Sequence, residues 1–352
     1  MRAVLRASQW HGPSPYDRGR CSVTAGEPAA VGVQTVSDEQ VGRVDVLFLI
    51  VNYHSADAVA GLLESIAAKR GASKVGISVV DNSESEVEHA SLSAIADRYR
   101  SDFDLVLCTR SAANLGYAGG NNRAYEAAEQ IGLAANVIVV ANPDVKIADG
   151  LVSVLADEVD HDPQALFAVT TRTNGSLSSG LYEMDTRWGQ TKSVWSHGAA
   201  AHRSFLYPGG HFIVTSNALW QNARGFSDDF FLFCEEADLV LRLQESNGFS
   251  GVRAIESVVV DHDQGLTTGA HGSLKEKSLT TYFHGTRSRV VLFRKHAALR
   301  KSLPLVVMLR AAWAVLVLLK AGTHASRAVF QGMQSGFAWR RVAVPGRDGR
   351  QQ

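Results

Sequence analysis

Four short apolar runs, each broken off by polar residues, constrain this chain more than any other feature. Residues 44–51 (VDVLFLIV) stop at Asn52-Tyr53-His54-Ser55, and residues 75–80 stop at Asp81-Asn82-Ser83. Residues 104–108 lead into a glycine- and asparagine-rich segment from Asn114, and residues 137–141 stop at Asn142-Pro143-Asp144. An unbroken apolar run of this length suits a strand buried on both faces of a parallel sheet. Between the runs, residues of about 57–69, 90–99 and 121–130 carry helical patterning. Strand alternating with helix predicts an α/β fold with a doubly wound, mostly parallel sheet, whose ligands bind at the carboxyl ends of the strands. Those ends are where the polar clusters fall.

The composition agrees with one large or two smaller globular domains: 352 residues, 45% hydrophobic and 20% charged. Disordered, collagen-like and coiled-coil chains are excluded. Cys21, Cys108 and Cys234 are too few and too scattered for a disulfide framework or a zinc knuckle. Residues 1–43 are rich in Gly, Ser and Pro and hold no secretory apolar run, so a flexible arm is expected. The net charge is zero, but it is polarised: from Arg287 onward there are 13 Lys and Arg against one acid, Asp348. Such a basic tail suits an anionic partner.

From residue 151 the rhythm changes. A helix near 151–160 gives way to Gly/Ser/Thr-rich segments with short strands, which suit an acceptor-facing half. A helix is expected to start near Glu235, behind acids that favour its positive end. A strand at 257–260 runs into Asp261-His262-Asp263, and helix is expected from Leu279 through Lys301. The expected division is an arm (1–43), an α/β domain (44–285, in two halves, 44–150 and 151–285), a helical region (286–330) and a basic tail (331–352).

Each polar cluster allows a chemical and a structural role. Asp81 can accept the N3–H of a pyrimidine base, or cap a helix or Asx turn. Asp144 offers a hard cation an oxygen ligand at a sheet edge where a diphosphate would lie, or sits in a type I turn behind Pro143. The segment Asn114-Leu115-Gly116-Tyr117-Ala118-Gly119-Gly120-Asn121-Asn122 can bring backbone N–H groups to a phosphate or sugar, or be only a glycine-rich turn. It is not the dinucleotide fingerprint, which would follow the first strand. Glu235 and Glu236 can serve as a general base, or complement a helix dipole as solvated acids. His262 can ligate a metal or bind phosphate, or be structural.

Taken in order, these segments resemble the family-2 glycosyltransferases of the GT-A fold, and within them the rhamnosyltransferase-like branch. The series is Val51-Asn52-Tyr53, Asp81-Asn82-Ser83, the Asn114 to Asn122 segment, Asn142-Pro143-Asp144, Gly209-Gly210, Gly225-Phe226-Ser227-Asp228-Asp229-Phe230-Phe231, Glu235-Glu236-Ala237-Asp238 and His262. The resemblance implies a Rossmann-like sheet flanked by helices. It also implies an inverting, metal-dependent hexosyl transfer to a glycan or lipid-linked acceptor in bacterial surface polysaccharide or glycolipid synthesis, with rhamnose among the donor sugars. A dTDP- or UDP-sugar would be held by Asn52, Tyr53, Asp81, Asn82, Asn114, Gly116, Gly119, Gly120, Asn121 and Asn142. Mg²⁺ or Mn²⁺ would sit on Asp144, with His262 as a further contact. The family's acidic motif usually reads Glu-Asp-x-Asp with the second acid as base; here Glu236 stands at that place, and Glu235 or Asp238 can share the role.

Residues 303–319 are almost wholly apolar but short for a span, and basic residues flank them on both sides. An in-plane helix on an anionic membrane is the expectation, which puts the chain in the cytoplasm at the inner face of the plasma membrane. Nucleic acid is not expected, because the basic segment has few aromatics for base stacking. Two other functions compete: a non-catalytic nucleotide-sugar-binding homologue in an assembly complex, and a nicotinamide oxidoreductase, against which the missing fingerprint argues.

Overall fold

A computed structural model describes residues 42–195, 203–262 and 273–340. Nearly all of the expected arm, the end of the basic tail and Asp263 lie outside these residues. The elements run β1 (Arg43–Asn52), α1 (Ala56–Lys69), β2 (Val75–Asp81), α2 (Glu86–Arg98), β3 (Leu105–Arg110), α3 (Gly116–Gln130), β4 (Ala134–Ala141), β5 (Val145–Ile147) and α4 (Leu151–His161). They continue as β6 (Ala165–Thr173), β7 (Ser176–Ser178), β8 (Leu181–Asp185), β9 (Thr191–Val194), β10 (Ser204–Pro208), β11 (Phe212–Ser216), α5 (Asn217–Ala223), α6 (Glu235–Gln244) and β12 (Gly251–His262). The last four helices are α7 (Leu279–Lys295), α8 (Ala297–Arg300), α9 (Leu303–Ala321) and α10 (Thr323–Ala338).

The fold is mixed α/β with a central sheet flanked by helices. Its strand order is β3-β2-β1-β4-β11-β6-β12-β5, and β10-β8-β9 form a small second sheet. The first four strands are parallel, as are β6 and β12. Both sheet faces are covered, which explains the continuous apolar runs. Val46, Phe48 and Ile50 of β1 point toward the core under α1, α2 and α4, while Leu47 and Leu49 point toward the core shared with α3, α5, α6 and α7.

The sheet is mostly parallel as expected, with β11 entering antiparallel between β4 and β6 and β5 pairing antiparallel with β12. Three expectations need correction. The glycine-rich segment is not a loop ahead of a helix near residue 121; it is the first turn of α3, which starts at Gly116. The helix from Leu279 ends at Lys295, since His296 is extended (φ −92°, ψ 124°) and α8 follows as a separate turn. The strand expected at 257–260 begins at Gly251 and carries a bulge between Ile255 and Val259.

Beyond residue 330 the chain stays helical through Ala338. Helices α7, α9 and α10 share a small core of Tyr282, Phe283, Ala314, Val317, Ala325, Ala328 and Val329. Close approach of α10 to α7 depends on two glycines four residues apart. A Cβ on Gly332 would stand 2.3 Å from the Phe283 carbonyl oxygen, and one on Gly336 would stand 2.7 Å from Val290 Cβ.

Candidate active site

Because β1 and β2 are parallel and in register, their last residues Asn52 and Asp81 are neighbours. The Asn52 amide donates to Asp81 Oδ1 (3.2 Å) and to Glu88 Oε1 (3.1 Å), while its oxygen accepts from the backbone N–H and hydroxyl of Ser55. Asp81 is fully buried; its Oδ1 also accepts from the Ser83 N–H (3.0 Å), an Asx turn, and its Oδ2 faces His89 Nδ1 at 3.4 Å. The Asx-turn reading is therefore realised, whereas the helix cap is not made by this cluster: Ser85 caps α2 and accepts from the Glu88 N–H. Tyr53 stands exposed, its ring edge-on to that of His54.

The next residues hold α3 against the sheet. Asn82 donates to the Gly116 carbonyl (2.9 Å), Asn114 accepts from the Gly116 N–H (2.9 Å), and Asn121 bonds back to the Tyr117 carbonyl (2.9 Å). These asparagines thus spend groups expected for a ligand on the scaffold. Gly116 has φ +72°, and a Cβ there would meet the Phe231 carbonyl oxygen at 2.2 Å. Gly120 lies against Val51 and Asn82, where a Cβ would come within 2.9 Å of both, and Gly119 packs on Leu115. The turn of α3 is thereby pressed onto the loop before α6, and the Tyr117 N–H donates to the Phe231 carbonyl (2.8 Å).

That loop delivers the acids. Phe233 and Cys234 both take left-handed backbone (φ +69° and +68°), which costs side-chain-bearing residues about 1–2 kcal/mol each. The bend aims the first turn of α6 at the strand ends. Glu236 Oε1 rests on Gly210, where a Cβ would be 2.0 Å from it, and Tyr117 Oη donates to the Gly210 carbonyl. Burial lifts the Glu236 carboxyl to about 7 and also holds Glu235 well above the ordinary carboxylate range, with the Glu236 charge adding to it. Burial, with the Glu236 charge behind it, also keeps the phenols of Tyr117, Tyr182 and Tyr207 protonated. Glu235 is 2% exposed, and its Oε2 has no hydrogen-bond partner.

Asp238 points elsewhere. It is fully buried and holds Arg242 Nε (2.8 Å), Lys295 Nζ (2.9 Å) and His296 Nε2 (2.8 Å). Burial would raise its carboxyl, but His296, Arg242 and Lys295 outweigh that and bring it to about 2. Its oxygens are saturated by cations, so a share in proton abstraction does not fit it.

At the same sheet edge, Asp144 follows β4 and His262 ends β12, with His262 Nε2 3.3 Å from Asp144 Oδ1. That carboxylate oxygen is buried and receives no hydrogen bond. A buried oxygen without a donor, beside an imidazole, fits a hard divalent cation. Among the described residues no group of three or more His, Cys, Asp or Glu converges on one point. A cation here would therefore complete its shell from diphosphate oxygens and water.

His211 is the residue that sequence reasoning missed. Its ring stacks on His262 (4.6 Å, 11°), and its backbone carbonyl accepts from the Asn142 N–H (2.9 Å). Its Nε2 meets Thr171 Oγ1 at 2.7 Å, and that hydroxyl donates to the Val169 carbonyl (2.9 Å). Nε2 is then the donor and Nδ1 carries the lone pair. Burial pushes the imidazole down to about 3, so it is neutral at physiological pH. Gly209-Gly210-His211 precedes an apolar strand, whereas the clusters at Asn52, Asp81, Asn114, Asn142 and His262 follow one. Only the antiparallel direction of β11 brings its beginning to this edge.

No family model and no curated protein matches the chain. Among solved structures it is similar to GalNAc-T7 with UDP, GalNAc and Mn²⁺ (TM-score 0.49, 10% identity, 70% of this chain and 50% of that one). It is also similar to residues 1–349 of S. aureus TarS (0.47, 14%, 75% and 70%). A third is the mannosyltransferase PcManGT of Pyrobaculum calidifontis with GDP-Man and Mn²⁺ (0.47, 12%, 85% and 77%). The chain spans half the length of the first of these.

Proposed function

We propose that this chain is an inverting GT-A glycosyltransferase of family 2. It moves a sugar from a nucleotide-diphosphate donor to a hydroxyl of a glycan or lipid-linked acceptor. The observation that carries the reading is Glu236, a carboxyl lifted to about 7 and resting on Gly210, whose chain neighbour His211 stacks on the His262 of the Asp144–His262 pair at the carboxyl edge of the sheet. A base with this affinity is about half ionised near neutrality and draws a proton readily in that form.

In the reaction, Glu236 takes the acceptor hydroxyl proton as that oxygen attacks the anomeric carbon. The bond from that carbon to the diphosphate oxygen breaks with its electron pair left on the diphosphate, so the configuration inverts once. Asp144 and His262 would hold Mg²⁺ or Mn²⁺, which supplies charge neutralisation to the leaving diphosphate. Tyr117 fixes Gly210 under the base, while Asn52 and Asp81 shape the end of the cleft where a pyrimidine base would stack near Tyr53. Glu235 and the neutral His211 line the same region, Asp238 anchors α6, and the donor class the resemblance supports is a dTDP- or UDP-sugar, with rhamnose among the sugars to test.

The test is transfer from a panel of UDP-, dTDP- and GDP-sugars to lipid-linked and free glycan acceptors, with Glu236→Gln beside the parent. Loss of transfer by about 10²–10⁴-fold with donor binding retained is expected. Donor binding by the parent with no transfer to any acceptor would make it a binding protein instead.

A further inference from the structure

Behind α6 the structure holds a cavity of about 450 Å³ lined by Arg294, Lys295, Arg300, Leu303, Trp339 and Arg340. Lys295 is already matched by Asp229 and Asp238 (both 2.9 Å). Arg294 donates only to backbone carbonyls, those of Gly336, Phe337 and Trp339, and lies over the Trp339 ring. Among the described residues neither Arg300 nor Arg340 meets a carboxylate, and both are exposed. Three guanidinium groups without an anion therefore surround one opening.

Leu303, on the rim of that opening, begins α9. On this helix Pro304, Met308, Ala312, Val315, Leu316 and Leu319 are all exposed, and their spacing of three and four puts them on one face about 22 Å long. A helix face turned to water is normally polar; this one has no polar residue. The opposite face packs Val306, Ala314 and Val317 into the protein, and Arg310 is largely buried on that side. Phe330 and Phe337 of α10 add two exposed rings.

We infer that α9 and this cavity seat the protein on an anionic phospholipid surface, with a headgroup phosphate among Arg294, Arg300 and Arg340 and the apolar face of α9 among the acyl chains. Charge selects the occupant. From Arg287 to Arg340 there are ten Lys and Arg and no acid, so a second copy would bring like charge against like. A vesicle of anionic lipid complements both the cations and the apolar face. Although α9 is long and apolar enough to span a membrane, its packing favours lying in the plane. Its inner face stays on α7 and α10, and α10 is locked to α7 through Gly332 and Gly336. The inference stands on lipid contact alone and does not rest on the sugar-transfer reading.

The experiment is flotation of the full chain with phosphatidylcholine vesicles and with vesicles that also contain phosphatidylglycerol, at low and high salt. Capture by the anionic vesicles alone, weakened by salt, is expected. Arg300→Ala with Arg340→Ala is expected to reduce it by roughly 30-fold, at about fivefold per cation. Leu316→Ser with Leu319→Ser is expected to reduce it by at least as much, and both pairs are exposed, so melting should not move. Capture unaffected by either pair, or equal on neutral vesicles, overturns the inference. So does no capture, whether the protein shows a thermal shift with inorganic phosphate alone or a dimer that Leu319→Ser dissociates.

Discussion

Glu236 makes activity and stability respond to pH in opposite directions. Its carboxyl, lifted by burial to about 7, must be ionised to act as a base, so the rate of transfer is expected to rise through about pH 7 and then level off. Stability follows the reverse course: with a folded affinity above the ordinary value, the group stabilises below its unfolded pKa, and this is lost as pH rises through the folded one. Glu236→Gln is therefore expected to flatten the rate profile and to raise Tm above neutrality but hardly at all near pH 4. Asp238 is the opposite case, since a value brought down to about 2 adds stability above the unfolded pKa and loses it as pH falls toward 2. Asp238→Asn strands the Arg242 and Lys295 cations and the His296 ring, and a loss of about 3–5 kcal/mol in urea denaturation is expected, because breaking a buried pair leaves its partners uncompensated. In the sequence these two acids look alike, both polar letters at a helix start. What separates them is Lys295 and His296, nearly sixty residues away, whose approach no local pattern records.

At the scale of elements, glycines decide how closely the site closes. At Gly210 an added methyl would meet only the far end of the Glu236 side chain, which can move aside. Gly210→Ala is thus expected to cut transfer sharply while leaving Tm nearly unchanged, a separation that parallel activity and thermal scans would show. Gly116→Ala should behave differently, since its φ of +72° and the Phe231 carbonyl at 2.2 Å are both fixed backbone features. The first four strands, and the start of α6 at Glu235, were legible because strict alternation and an acidic first turn are local signals. The start of α3 was not, because glycines read as a loop until β1 is seen to need them for close packing. His211 was illegible for a topological reason: polar residues at a strand's beginning belong to the far edge unless that strand is reversed.

The whole molecule is electrically divided, with 22 basic and 34 acidic residues ahead of Arg287 and nearly all the remaining positive charge beyond it. A nucleotide that binds only the folded state raises Tm with its occupancy. UDP or dTDP with Mn²⁺ is therefore expected to shift melting of the parent and not of Asp144→Ala, and a shift of the same size in both would remove Asp144 from the donor site. The reversed strand also shapes how the protein comes into being. Residues Phe212–Ser216 form the seam between β4 and β6, yet they leave the ribosome some forty residues after β6 does. Until then two largely apolar strands have open edges facing one another, the condition in which nascent chains pair wrongly or recruit chaperones. Biosynthesis thus has a vulnerable window that closes only with the five residues that directly follow the site's histidine, so a chain able to close this seam has already assembled that corner of its chemistry.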